Sequence, residues 1–463
     1  MSKMTKRIFT NLLTALFFLT LFSGLSISID AQPKKAKKLV ADADKLFKQK
    51  SYQAAIDKYA EAIVLAPDYA NAHYWKAYAH YNLNQYDEAL EELNAALSQG
   101  YNPPLDIYKL RWNLYYQKKD YDSALSDLQQ AIKLDPSNGA YNRSLGDIYF
   151  GKEQWREALA AYKTAAQLNQ ADADVYYFMA FSHYSLRETP EQEIDALDAL
   201  KRNTKYTGES YFLIGDALQK GGRMDEALQS YQKALDVKPD IYGVYVNLSD
   251  LYRSQNRFKD AIDTANKGLG LFPDDGNLYT SLSWYYSLAD RPQEAVSAGL
   301  KAIKFAPKES MGYTNLCRAY NDTKQYQLAI QTCNEALKIN SGDGETNFYL
   351  GRAYDFLNKP ETATKYYDKA VEGLVEFTKN NPSYSDGYYL LGNAYFADRQ
   401  REKAIEAYKI CLNLSPRFAK ARYNLGIIYF SAGNTAAARA QYEELKKIDP
   451  ATAEKLKQAM EKK

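Results

Sequence analysis

Three cysteines and three histidines are all the thiol and imidazole that this 463-residue chain offers to chemistry. Catalysis by a thiolate–imidazole pair, or a zinc centre, needs such residues at short fixed spacings, and none is present. There is no C-x-x-C, no H-E-x-x-H and no Walker loop to cradle a phosphate. The Gly221-Gly222 pair falls between two expected helices, where a turn wants glycine in any case. His73, His80 and His183 fall on the inner faces of helices and read as packed core residues, not metal ligands. Acidic residues are scattered along exposed helix faces as solvated charge. The reading is therefore a chain that is not an enzyme, with no metal and no cofactor. What remains of its reactive inventory is the possibility of one disulfide.

The amino terminus points to export. Lys3, Lys6 and Arg7 precede an uncharged apolar run from Ile8 to Ile29, followed by Ile29-Asp30-Ala31. A positive start, an apolar centre and a small-residue exit describe a secretory signal peptide over residues 1–31, with Gln32 first in the mature chain. The alternative is an uncleaved anchor, since the run is long enough to span a bilayer as a helix. Either way the remainder lies outside the cytoplasm, periplasmic or secreted, and contact with a membrane is made only through a leader that is kept. The chain has 59 basic and 57 acidic residues. Loss of the leader removes three basic residues and one acidic, so the mature chain is neutral. A nucleic-acid partner would require a clustered basic excess; four lysines among residues 34–38 are all there is, and nucleic acid is excluded.

The elements that must position everything else come from an internal period. Ala55, Ala89 and Ala124 are spaced by 34 and 35, and each is followed seven residues later by another alanine, at 62, 96 and 131. The series continues at Ala158, Ala227, Ala261, Ala295, Ala329, Ala363, Ala404 and Ala438, broken only by Gln192. Prolines recur in phase at 67, 136, 239, 273, 307, 416 and 450, where a helix should stop. Within this frame Asn142 to Tyr149 read N-R-S-L-G-D-I-Y, followed by Trp155, Ala158, Tyr162 and Ala165. Tyr388 to Tyr395 read Y-Y-L-L-G-N-A-Y, followed by Ala404, Tyr408 and Pro416, and Tyr423 to Tyr429 read Y-N-L-G-I-I-Y. These residues resemble the tetratricopeptide repeat, a helix–turn–helix unit of 34 residues. The resemblance implies an all-α, right-handed α-solenoid of about twelve antiparallel helix hairpins. Their starts fall at residues 36, 70, 105, 139, 173, 208, 242, 276, 310, 344, 385 and 419, with a C-terminal capping helix over 453–463.

Physical patterning leads to the same hairpins. The fourth, seventh, eighth and eleventh residues of each repeat share one helical face, and the eighth is usually small, as at Ala43, Gly146, Gly215, Gly351, Gly392 and Gly426. An alanine of the second helix is expected opposite it. Neither helix could bury its stripe alone, so stacking must supply the core. Most of the 42 tyrosines fill the eleventh, seventeenth and twenty-fourth places, between helices. Trp112 stands in a small-residue place, so the third repeat must splay or repack. Pro190 and Gln192, followed by the polar run from Arg202 to Lys205, make the fifth repeat the weakest and a candidate hinge. Seven extra residues before Ser385 extend the second helix of the tenth repeat through Phe377. The expected divisions are repeats 1–5 over 32–207, repeats 6–10 over 208–384, and the last two repeats with the cap over 385–463.

In this register Cys317 takes the small place of a first helix, and Cys333 an inward place of the second. Outside the cytoplasm a bridge between them could persist. Ordinary helix pairs lie about 8–10 Å apart, wider than a disulfide allows, so two buried free thiols are the other reading. Cys411, in an alanine place, is expected to be a free core thiol.

Repeat proteins of this family bind extended peptides or helices along the face of their first helices, so the resemblance implies a protein or peptide partner. The second, fifth, ninth and twelfth residues point roughly 120° from the core stripe and line that groove. They give Tyr74, Tyr78 and Tyr81 in the second repeat and Tyr177, Phe181 and Tyr184 in the fifth. Aromatics here supply rigid contact area at low entropic cost. The twelfth place alone runs Phe47, Tyr81, Tyr116, Phe150 and Tyr184, then Gln219, Arg253, Ser287, Asn321 and Asp355, then Phe396 and Phe430. This reads as a groove apolar at its ends and polar in its middle; the competing reading is that these rings only pack against the next repeat. Chaperone-binding members clamp a terminal carboxylate. Lys109 and Asn113 match the opening pair of that clamp, but Ser144 and Phe178 replace its next members, so the clamp is absent. The function expected is a non-catalytic interaction scaffold of the cell envelope. The alternative is a carbohydrate-binding or polysaccharide-export accessory solenoid, because the same rings stack on sugars. The sequence leaves the oligomeric state open.

Overall fold

The structure, a computed structural model, describes residues 31–461, with side chains from residue 34 onward. The basic start and apolar run of the expected leader lie outside the described residues. All 25 described elements are α-helices, and no strand occurs among the described residues. None of these helices is long and apolar enough to cross a membrane.

The chain forms two compact units that divide after Lys205, at the end of the polar run of the fifth repeat. The described part of the first unit holds five hairpins. Their first helices are Ala31–Lys48, Ala70–Asn82, Pro104–Gln117, Gly139–Gly151 and Ala173–Leu186, each followed by an antiparallel second helix. The second unit holds seven more, with first helices Thr207–Lys220, Tyr242–Ser254, Gly276–Leu288, Ser310–Asp322, Gly344–Phe356, Ser385–Ala397 and Ala419–Ser431. Eleven of the twelve starts fall within one residue of the expected register; the first helix begins five residues earlier. The second helix of the tenth repeat, Pro360–Asn380, runs for 21 residues, past Phe377 as expected. The closing helix, Pro450–Glu461, buries Ala453 and Leu456 and leaves Met460 half-buried in the same cluster.

Each hairpin turns through one left-handed residue in its fifteenth place, from Lys50 and Asn84 to Arg399 and Gly433, with φ between 55° and 79°. Only Gly222 and Gly433 are glycine there. The turn is a Schellman cap. In the ninth repeat, for example, the Lys324 amide donates to Asn321 O at 3.1 Å and the Gln325 amide to Tyr320 O at 2.7 Å. The periodic alanines, Ala55, Ala89, Ala124 and Ala158 among them, are fully buried, and Gln192 is buried just as deeply in their place. The Cys317–Cys333 question resolves as a disulfide, with the Cα atoms 5.4 Å apart. Facing Cα atoms each stand about 2.3 Å off their helix axes, so two small inward residues can bridge helices packed at the ordinary distance of about 8–10 Å between axes. Cys411 is free and buried.

Candidate functional site

The groove positions are fixed from underneath by a pair of places that the sequence reading only half identified. Opposite the small eighth residue stands the twenty-fourth residue of the same hairpin, a tyrosine in six of the twelve repeats and an alanine in only two. A Cβ on Gly215 would lie 2.6 Å from the ring of Tyr231, one on Gly351 2.8 Å from Tyr367, and one on Gly392 2.6 Å from Tyr408. Glycine is required because the ring occupies the volume of its missing side chain. In three repeats the tyrosine hydroxyl then reaches the ninth, groove-lining place, and in the sixth Tyr231 donates to Gln219 in the twelfth, at 2.8 Å. Tyr59 donates to Asp44 Oδ1 at 2.6 Å, Tyr162 to Asp147 Oδ1 at 2.9 Å, and Tyr408 to Asn393 Oδ1 at 2.6 Å. Burial raises the Asp147 carboxyl above its ordinary range even though Tyr162 donates to it. Where Trp112 fills the small place, its partner is Leu128, and both lie in one cluster with Ala124 and Tyr141. The repeat is thus repacked, with the indole Nε1 buried and making no hydrogen bond among the described residues.

In the first unit the expected aromatics collect into two ladders. Tyr78 packs on Phe47, Trp75, Tyr74 and Tyr81, with ring centroids 5.8–6.3 Å apart. Phe181 packs on Phe150 at 5.5 Å, Trp155 at 5.8 Å and Tyr184 at 5.9 Å, and Tyr177 joins through Phe178. In the first four repeats the twelfth-place ring leans on the aromatic seventeenth residue of its own hairpin. The pairs are Phe47 on Tyr52, Tyr81 on Tyr86, Tyr116 on Tyr121 and Phe150 on Trp155, at 5.2–6.3 Å. Tyr74 is buried and stacks on Tyr101 at 4.3 Å, whereas Tyr78, Tyr81, Tyr116, Phe150, Tyr177, Phe181 and Tyr184 keep part of their surface in solvent. Exposed Trp75, absent from the expected set, belongs to the first ladder. Phe396 is exposed and Phe430 half-buried, in the second unit.

The polar middle of the twelfth-place series is an internal network of the second unit. Arg253 is buried, with Nε 2.7 Å from Asp250 and Nη1 3.1 Å from Asp386, a residue 133 positions away. Its guanidinium lies 4.4 Å over the Trp284 ring. Burial disfavours its charge, but Asp250 and Asp386 outweigh that and raise its pKa. Arg318 pairs with Glu345 and lies 5.0 Å over Tyr349, and Arg352 pairs with Asp322 at 3.0 Å. Asn321 donates to the carbonyls of Cys317 and Tyr349, each at 3.1 Å. Cavities of about 980, 750 and 250 Å³ open among these first helices, and Asp386 lines all three. Trp284, Arg318, Glu345, Arg352, Asp386 and Lys420 were not singled out in the sequence. Their signal was available, since all occupy second or ninth places, already assigned to the groove.

The histidines have polar neighbours. His183 is buried with Nδ1 2.6 Å from Glu188, while His73 and His80 are half-buried against Glu92 and Gln85 at 2.6 and 2.7 Å. No cluster of three or more His, Cys, Asp or Glu side chains suited to a metal ion occurs among the described residues.

Family models described as tetratricopeptide repeat match residues 46–110, 212–276, 312–343, 345–372 and 389–453, and one described as TPR repeat matches 113–152 and 146–186. Together they span more than half of the chain. The human "Protein O-mannosyl-transferase TMTC1" is 26% identical over 142 residues, 30% of this chain and 16% of that protein. The "DnaJ homolog subfamily C member 7 homolog" of Schizosaccharomyces pombe is 24% identical over 46% of this chain and 43% of its own. The wheat (Triticum aestivum) "Hsp70-Hsp90 organizing protein" is 23% identical over 42% of this chain and 39% of its own. The chain thus spans less than half the length of these three curated relatives. Among solved structures, MamA is 25% identical over 36% of this chain and 97% of its own, with a TM-score of 0.33. A repeat protein from Parabacteroides merdae is 14% identical over 58% of this chain and 98% of its own, with a TM-score of 0.43.

Proposed function

The chain belongs to the tetratricopeptide repeat family, and from that premise we propose that it is an exported, non-catalytic scaffold. It would hold a partner polypeptide against the first-helix face of its first unit. The observation that carries this reading is the pair of half-exposed aromatic ladders around Tyr78 and Phe181. They present rigid apolar area at equivalent places of repeats two and five. The equivalent face of the second unit is occupied instead by its own ion pairs. An extracytoplasmic, cell-envelope setting is supported by the Cys317–Cys333 bridge, which would not persist in a reducing cytosol.

Cross-linking the exported protein in its native cells, followed by identification of the adducts, tests the proposal. A protein adduct lost in the Tyr78→Ala/Phe181→Ala double variant, with thermal stability nearly unchanged, supports it. A large loss of stability in that variant would assign the rings to packing. Glycan binding without any protein adduct would favour the carbohydrate-binding alternative.

A further inference from the structure

The smallest of the three cavities, about 250 Å³, is built unlike a gap between helices. Trp284, Phe348, Tyr349, Tyr389 and Phe418 form its walls. Arg318, Ser287 and Lys420 line it as well, three residues whose donors the fold leaves short of acceptors. Arg318 is 8% exposed; its Nη2 reaches Glu345, but Nε is buried with no hydrogen-bond partner among the described residues. Ser287 is buried and its hydroxyl is likewise unpartnered. The Lys420 ammonium meets only the Ser287 carbonyl, at 3.5 Å. Unlike Arg253, Arg318 and Arg352, it forms no ion pair among the described residues.

Each of these groups is costly as it stands. A buried donor without an acceptor gives up its hydration uncompensated, and a half-buried cation without a partner is disfavoured as well. Burial holds the Lys420 pKa below that of an ordinary lysine, outweighing the attraction of Asp290 and Asp322, and the Arg318 charge adds to the lowering. Asp322 and Asp386 also line the space but are paired with Arg352 and Arg253, so Lys420, Arg318 and the Ser287 hydroxyl leave the aromatic-walled cavity complementary to an anion with a flat apolar body. The enclosing contacts argue for a small ligand. Arg253–Asp386 and Lys420–Ser287 O each join helices 133 residues apart, and an extended chain laid through the space would have to part them. The volume lies just below the range of about 300–1,000 Å³ usual for drug-sized ligands.

We propose that the second unit binds a small aromatic carboxylic acid in this chamber. The carboxylate would sit between Lys420, Arg318 Nε and the Ser287 hydroxyl, and the ring against Trp284 and Tyr389. This site is separate from the partner surface of the first unit and does not depend on it.

Calorimetric titration of the full chain with phenylacetate, phenylacetamide, inorganic phosphate and a short peptide ending in a free phenylalanine carboxylate tests it. Phenylacetate should bind at least about tenfold more tightly than its neutral amide, and more tightly than phosphate or the peptide. Lys420→Met should weaken phenylacetate at least about tenfold and raise the ligand-free melting temperature, because it removes a half-buried charge that forms no ion pair among the described residues. Ser287→Ala should weaken the same acid while leaving the fold intact. No binding of phenylacetate, equal binding of the amide, or unchanged affinity in Lys420→Met would overturn the proposal. Tighter phosphate would overturn the aromatic body, and a tighter peptide would make the ligand a chain end. A lower melting temperature for ligand-free Lys420→Met would assign the lysine to structure and overturn its role as a binding group.

Discussion

The ring of Tyr408 lies 2.6 Å from the point that a Cβ on Gly392 would occupy, so glycine and tyrosine in this hairpin specify one another. Gly392→Ala should therefore destabilise the protein although alanine gains roughly 1 kcal/mol of helix propensity. Overpacking a full core costs about 1–3 kcal/mol. Tyr408→Leu in the same chain should recover part of the loss, because the second repeat fills these places with Ala77 and Leu93, both fully buried. Recovery will be incomplete, since the hydrogen bond from Tyr408 to Asn393 is lost. Urea denaturation of the two single variants and the double variant measures the coupling; additive effects would contradict the pairing.

The same two places explain the disulfide. Cys317 and Cys333 stand where Gly392 and Tyr408 stand two repeats later, and their Cα atoms are 5.4 Å apart. Peptide mapping without reductant should recover the fragments of Cys317 and Cys333 linked. Cys411, buried and with its thiol pKa raised by burial, should be alkylated only after unfolding. Cys333→Ala should cost about 3 kcal/mol, as expected for a loop of this size.

Much of this was legible in the sequence because the repeat is local. A helix stripe, a periodic alanine and a proline stop each concern residues a few positions apart, which is why eleven first helices start within a residue of the expected register. Two features were not legible, for different reasons. The left-handed turn residue is hidden because Lys119, Glu153 or Lys324 gives no sign of positive φ; the surrounding Schellman hydrogen bonds impose it. The Arg253–Asp386 contact is hidden because it depends on rotations accumulated over four hairpins, which no single repeat encodes.

The turn gives its own test. Glu153 adopts φ 58° where a side chain is disfavoured. Glu153→Gly should raise stability by up to about 1 kcal/mol, the steric gain exceeding glycine's extra freedom in the unfolded chain. A loss of stability in chemical denaturation would show that the side chain contributes more than its backbone strain costs.

His73 should make stability depend on pH. The hydrogen bond with Glu92, 2.6 Å away, raises the imidazole pKa above 6.5, outweighing the opposing effect of burial. Burial alone would raise the Glu92 carboxyl, but hydrogen bonds from His73 and Lys76 lower it below 4.5. The histidine contribution is thus complete below about pH 6.5 and is lost as pH rises through the higher folded value. The glutamate contribution is present above its unfolded pKa and is lost as pH falls through the lower folded one. His73→Gln should therefore lower the melting temperature more at pH 5.5 than at pH 8.5; equal losses at both would refute the coupling.

Arg253 and Asp386 provide the sharpest test of what holds the second unit in its observed form. Both are buried, so removing Arg253 leaves Asp386 without its counter-charge, whereas removing Asp386 leaves Arg253 only the partly exposed Asp250. Arg253→Met should cost about 3–5 kcal/mol, the range for breaking a buried pair. The methionine keeps the apolar contact with Trp284, so the loss would report charge and not packing. Replacing both partners, Arg253→Met with Asp386→Leu, removes the attraction and the desolvation cost together and should return stability to within about 1 kcal/mol of the parent. Asp250 remains tolerable in the double variant because it is partly in water. Chemical denaturation of the three variants decides the matter. If the double variant is as unstable as Arg253→Met, the pair contributes specific geometry beyond mutual charge compensation, and the closure between the seventh and eleventh repeats depends on that geometry.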